Sequence, residues 1–312
     1  MTGAREKIEW LLSQLWFRAF FASLLIAMHV TDAKVMARDR FGQAFNQAPH
    51  EAPYFRDAWV DKHAKNAKRL AVARWDGEHY IALAIRGYEA CPPAPLSDAD
   101  IKKRDGTCTL TFYPGYPTIG RAVTRVRAIA MDRALWYVSL VASFLTFFLW
   151  TSGTMTSRFG VPTTWLSLVI LNAYPPSCYL VFVATEPCTL FFTLAGYLAF
   201  ARKHYALSAA LIGAATAMRI TAIAATAAFC VALAVETIQK PPRAALDWLE
   251  RVVSVPLSGW GVAAVMGFFW QRFGDPLIYN RAHEVIYSHK PKLSQLMDPD
   301  PAWIMHSIDG CV

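Results

Sequence analysis

Charge is scarce in this chain. Only 17% of its 312 residues are Asp, Glu, Lys or Arg, and two stretches, Ala134–Ser157 and Phe159–Thr185, carry no charge at all. A soluble domain holds about 25% charged residues, so this composition argues against an ordinary water-exposed surface. Other absences narrow the field. There is no Walker loop and no Rossmann-type glycine run, so a nucleotide-binding fold has no support. Six cysteines are present, but none is spaced from a histidine or another cysteine as a metal site requires. No internal repeat is visible. The net charge of +8 comes without a basic, aromatic-interleaved stretch, so it reads as membrane topology and anionic headgroups rather than nucleic acid.

What is present is apolar length. Besides the two uncharged stretches, apolar runs cover Ala19–Thr31, Pro187–Ala201, Tyr205–Met218, Ile220–Val235 and Ser254–Gln271. A bilayer core takes about 20 apolar helical residues, and flanking side chains can snorkel where a run is shorter. The expected fold is an all-α integral membrane protein of about seven transmembrane helices. The first apolar segment, Leu11–Thr31, lacks a small-residue cleavage site and contains Arg18, so it reads as a retained anchor.

Orientation follows from the short loops. Arg202-Lys203-His204 and Lys240-Pro241-Pro242-Arg243 are expected on the cytoplasmic side. The chain then reads as one membrane domain over 1–312, with an extracytoplasmic loop at 32–132, a transmembrane bundle at 133–273 and an extracytoplasmic tail at 274–312. Arg121, Arg125, Arg127 and Arg133 fall outside, which long loops permit; they pair with lipid phosphates or form a solvated helix face. Within the loop, Asp57–Ile85 has helical character and Glu89–Asp105 reads as an exposed loop. Cys91 and Cys108 flank that loop, and an oxidising compartment permits a disulfide between them; two free thiols are the alternative. Cys178, Cys188 and Cys230 lie in apolar runs and read as packing residues.

Ionisable residues near a membrane are costly unless they have a partner or a task, which singles out a few positions. In Trp75-Asp76-Gly77-Glu78-His79-Tyr80, Asp76 and Tyr80 share a helix face. A partly desolvated carboxylate suits a general base; a helix-start aspartate is the plainer reading. Glu186, in Thr185-Glu186-Pro187, sits between two apolar runs, where capping competes with a functional role. Arg219 interrupts Tyr205–Val235; it holds a phosphate if two short helices turn there, or else snorkels to headgroups. Phe112-Tyr113-Pro114-Gly115-Tyr116-Pro117 cannot be regular helix interior and is expected to bend, with its tyrosines lining a sugar pocket or serving only the turn.

Taken in order, these segments, with Gly87-Tyr88, Asn172-Ala173-Tyr174-Pro175 and Met218-Arg219-Ile220-Thr221, resemble the PIG-V family (GPI mannosyltransferase 2) and its bacterial relatives, over roughly residues 70 to 225. That family belongs to the GT-C glycosyltransferases, multi-span enzymes working at the lumenal or periplasmic face. The resemblance implies transfer of a hexose, mannose by analogy, from a polyprenyl-phosphate donor to an acceptor, without a cofactor. It implies Asp76 as the base and Arg219 at the donor phosphate. Glu78, His79, Tyr80, Tyr113, Tyr116 and Glu186 would shape the substrate site, and a bacterial inner membrane facing the periplasm is the implied location. The chain departs from the family in having Pro187 after the glutamate where a serine is expected, and Ile220 where proline is expected. Family members also continue with further spans beyond the region of Gly274-Asp275-Pro276, and the ending His306–Val312 resembles an interrupted reading frame. The rival function is a transporter or flippase for a lipid-linked or small polar solute.

Overall fold

Long apolar stretches without glycine–proline punctuation form helices, because only a helix satisfies every backbone group inside one segment where water is excluded. The computed structural model describes residues 9–38, 76–88, 91, 95–103 and 110–287, and among them every regular element is helical. In chain order these are α1 (Leu15–Arg38), α2 (Asp76–Arg86), α3 (Asp98–Lys103), α4 (Gly115–Val126), α5 (Met131–Trp150), α6 (Gly153–Phe159) and α7 (Val161–Ala173). They continue with α8 (Glu186–Ala201), α9 (Tyr205–Met218), α10 (Ile223–Gln239), α11 (Ala245–Leu257), α12 (Trp260–Phe273) and α13 (Ile278–Tyr287), and 3-10 turns occupy Pro175–Leu180 and Ile220–Ala222.

Among the described residues two helices, Met131–Trp150 and Ile220–Gln239, have the length and apolarity to cross a membrane; α11 and α12, bent by 45° at their junction, make a third if taken as one span. The expectation of seven spans therefore meets two or three helices of spanning length. Four further apolar helical stretches of 10–17 residues, Leu15–Thr31 within α1 and the helices α7, α8 and α9, rise at most roughly 25 Å at 1.5 Å per residue against a hydrocarbon core of about 30 Å. The largest departure is Phe159–Thr185. Its composition suggests one long span, but α7 stops at Ala173 because Pro175 and Pro176 supply no amide hydrogens for the helix.

The irregular run after α7 is held by α5. Trp136 Nε1 donates to the Val181 carbonyl at 2.9 Å and Ser139 Oγ to that of Ala184 at 3.3 Å, while Ser143 Oγ donates to Leu180. These three donors recur at helical spacing on one face, so α5 serves carbonyls that the run after α7 leaves without helical partners. Val181, Phe182 and Ala184 are buried against it. Arg18 on α1 serves a similar end: its guanidinium donates to Phe148 O at 2.6 Å and Thr151 Oγ1 at 3.1 Å, at the C-terminus of α5 where positive charge is favoured.

Around this frame α8 packs between α5 and α9, and α9 packs on α11 and α12. The α9–α12 approach depends on glycine: a Cβ on Gly261 would fall inside the Gly213 carbonyl oxygen, whereas a Cβ on Gly267 of the same helix meets nothing within 4 Å. Gly261→Leu is therefore expected to lower the melting temperature sharply, with an overpacking cost of roughly 1–3 kcal/mol or more. Gly267→Leu is expected to leave it unchanged; thermal unfolding followed by size-exclusion in detergent compares the two.

Among its described residues, the segment expected as an exposed loop is partly helical and packed. Within Glu89–Asp105, α3 is helical, and Cys91, Leu96 and Ile101 are buried in the main core. Cys91 is disulfide-bonded; Cys108 lies outside the described residues, while Cys188 and Cys230 are free thiols. Of Asp57–Ile85, the part up to residue 75 lies outside the described residues and the rest forms α2.

Candidate functional site

Asp76 is the first residue of α2, and the next residue explains its placement. A Cβ on Gly77 would stand 2.7 Å from the Val183 carbonyl oxygen. Glycine there lets the first turn of α2 lie directly on the segment leading to Thr185-Glu186. One turn on, Tyr80 is buried, with its hydroxyl 3.3 Å from Thr185 Oγ1. Tyr80 packs edge-on against Phe112 and Tyr116, at 5.1 and 5.5 Å between ring centres.

Arg219 arrives from the other side. Helix α9 ends at Met218 and Arg219 is extended, φ −154° and ψ 137°, before the 3-10 turn into α10. The two helices therefore turn at Arg219, the condition on which the phosphate reading of that residue depends. The Arg219 guanidinium donates to the Glu186 carboxylate at the N-terminus of α8. Asp76, Glu186 and Arg219 thus form one electrostatic cluster. Its members sit at the start of α2, the start of α8 and the end of α9, all at one end of the bundle.

A cavity of about 100 Å³ opens beside this cluster. Asp76, Tyr80, Tyr113 and Arg219 from the predicted set line it, with Thr111, Phe112, Met218 and Ile220 beside them. Asp76 keeps solvent access, yet the surrounding protein displaces enough water to raise its pKa; Glu186 raises it further and Arg219 opposes the rise. Burial likewise raises the Tyr80 and Tyr113 phenols, which keeps both neutral and able to donate. For Arg219, burial is the largest influence and disfavours the charge, but Glu186, Tyr80 and Asp76 together outweigh it and the net shift is upward. The arrangement sets a carboxylate of raised pKa, suited to taking up a proton, next to a fixed guanidinium, suited to an anion. Among the described residues no group of His, Cys, Asp and Glu could hold a metal ion.

The remaining predicted residues fall elsewhere. Tyr116 does not reach the cavity: it is fully buried behind Tyr80, donating to Leu135 O at 2.8 Å with Ser139 Oγ also at 2.8 Å. Its expected role in substrate binding gives way to packing, because the helical start at Gly115 turns it inward. His79 stacks on Phe112 with ring centres 4.6 Å apart and supports the wall rather than lining it. The Glu78 side chain lies outside the described residues.

Sequence reasoning missed Tyr279 and His283, both lining the cavity. They come from α13, in a region read only as a tail. Their rings pack together at 4.5 Å, and Tyr113 meets Tyr279 at 4.7 Å. The available signal was a short amphipathic pattern: Ile278 and Ala282 are buried in the core one turn apart, with Tyr279 and His283 beside them. Arg281 ties α13 to Asp98 of α3 at 2.6 Å, an exposed pair of small energetic weight.

Compared with known proteins, the chain matches no family model, no curated protein and no solved structure.

Proposed function

We propose that the chain is a membrane glycosyltransferase of GT-C type, moving a hexose from a polyprenyl-phosphate donor to an acceptor hydroxyl on the extracytoplasmic face. In this reading the two long helices, the bent α11–α12 pair and the four shorter apolar helices make seven crossings, and the site faces the periplasm of a bacterial inner membrane. The observation that carries the reading is the convergence of Asp76 and Arg219 at one cavity, with Glu186 paired to Arg219. Charge placement supports the orientation. Lys203 and Lys240 flank Glu236 at 2.7 and 3.9 Å, at the far ends of α8 and α10 from the cavity, as cytoplasmic cations would be.

Asp76 accepts the acceptor's hydroxyl proton as that oxygen bonds to the anomeric carbon. The bond from that carbon to the phosphate oxygen breaks, and the phosphate leaves with the electron pair. Arg219 stabilises the negative charge that develops on it. A guanidinium has five donors, so Glu186 holds one part of it while the rest remains for phosphate. Tyr80, Tyr113, Tyr279 and His283 shape the sugar's surroundings. The break between α9 and α10 favours a transporter reading, but the charged cluster lies at helix ends rather than at mid-span.

The test is transfer from radiolabelled polyprenyl-phosphate-mannose in membranes with and without the chain. Labelled product only where the chain is present is the expected result. Solute flux in proteoliposomes without any product would replace the enzyme by the transporter.

A further inference from the structure

The cavity beside Asp76 measures about 100 Å³. A water takes up about 30 Å³ of liquid, so about three waters fill it, whereas pockets that enclose a small-molecule ligand usually measure about 300–1,000 Å³. A hexose is enclosed here only if a wall gives way. The walls differ in how firmly they are held. On α2, Gly77 lies against the Val183 carbonyl and Tyr80 is buried. Met218 is buried at the end of α9, a helix with buried residues from Tyr205 onward, and Arg219 is paired with Glu186.

Helix α13, which brings Tyr279 and His283 to the cavity, is held less. Among its described side chains only Ile278 and Ala282 are buried, and it packs on the six-residue α3. It follows α12 through Gly274, a left-handed residue at φ 71° around which a Cβ would meet nothing within 4 Å. Pro276 comes next but one, and Asp275 Oδ1 accepts from Leu277 N at 2.8 Å, so α13 restarts as a separate rigid piece. A short helix with few buried apolar contacts belongs to the low-stability end of a fold, and such junctions absorb the backbone change of a hinge. Arg281 stands two residues from both Tyr279 and His283 and so faces away from them. It meets Asp98 on α3 at 2.6 Å and Asp275 at the junction at 4.0 Å. One guanidinium therefore ties the helix to the element it packs on and to its own junction.

We infer that α13 is a lid over the Asp76 cavity, hinged at Gly274-Asp275-Pro276 and latched to Asp98 through Arg281. It swings aside to admit the sugar and returns to lay Tyr279 and His283 against it. The sugar as occupant rests on the transferase reading above.

The test times access to the cavity in the full chain in nanodiscs. Ile220 is partly exposed on the cavity wall; in Ile220→Cys the new thiol is modified by a maleimide bearing a hexose, and the labelling of the parent chain is subtracted. Asp98→Asn and Arg281→Gln, each added to it, break an exposed pair. Both are expected to speed modification about two- to fivefold, the weight such pairs carry, with the thermal transition unchanged. Added salt screens the pair and is expected to speed modification where the latch is intact, and less so in Asp98→Asn. A rate indifferent to the substitutions and to salt makes α13 a fixed wall and overturns the lid. Polyprenyl-phosphate-mannose is expected to slow modification by holding α13 down. Latch and salt dependence without that slowing leave the lid standing and count against the transferase reading, so the two failures are told apart.

Discussion

Asp76→Asn is expected to cut sugar transfer by roughly 10²–10⁴-fold, the usual contribution of a positioned general base, while the protein stays folded. Folding should in fact improve. Burial and Glu186 raise the Asp76 pKa above its ordinary value, so between the unfolded and folded values the native state binds more protons than the unfolded chain. Stability then falls as pH rises through that window, and asparagine, which never ionises, avoids the loss. The melting temperature of Asp76→Asn should equal or exceed that of the parent at neutral pH and converge with it in acid. Near-normal turnover in this variant would remove Asp76 from the mechanism. The acid limb of kcat/KM against pH gives the sign at its neighbours. Glu186→Gln removes the like charge that raises Asp76, so the limb should move to lower pH.

Arg219→Gln is expected to lower kcat by roughly 10²–10³-fold, the effect of removing one preorganised group from a developing negative charge. It should also raise KM for the donor, since in the proposed mechanism the same guanidinium meets the phosphate before and during departure. Its effect on the acid limb should be opposite to that of Glu186→Gln: without the cation that lowers the Asp76 pKa, the limb moves up. Arg219→Lys should recover part of kcat, as a point charge remains but the planar fork is lost. Unchanged kcat and KM in Arg219→Gln would place the donor phosphate elsewhere.

The charged members of the site were legible in the sequence because ions are expensive in an apolar chain, and Asp76, Glu186 and Arg219 are conspicuous interruptions. Their meeting was not legible: Glu186 and Arg219 are 33 residues apart, and Tyr80 and Thr185 are 105 apart. Tyr113 and Tyr116 share one motif, and only the helical start at Gly115 decides that the first faces the cavity and the second the core. Composition overstated the span at Phe159–Thr185 because a hydropathy count does not register that consecutive prolines end a helix. It understated the region after Phe273 because a ten-residue amphipathic helix carries too little periodicity to distinguish it from a tail.

The α5 ladder has a consequence for biogenesis. Ser143 precedes Leu180, the carbonyl it serves, by 37 residues, so on a translating ribosome the donors are made before the acceptors that need them. Under the membrane reading proposed above, until α5 has inserted with its serines and Trp136 facing the right way, the carbonyls of Leu180, Val181 and Ala184 would lack these donors and the stretch would be a target for quality control. Changes along that face of α5 should therefore appear as lost yield of inserted protein rather than as slow enzyme, and a screen reading only specific activity would pass over them.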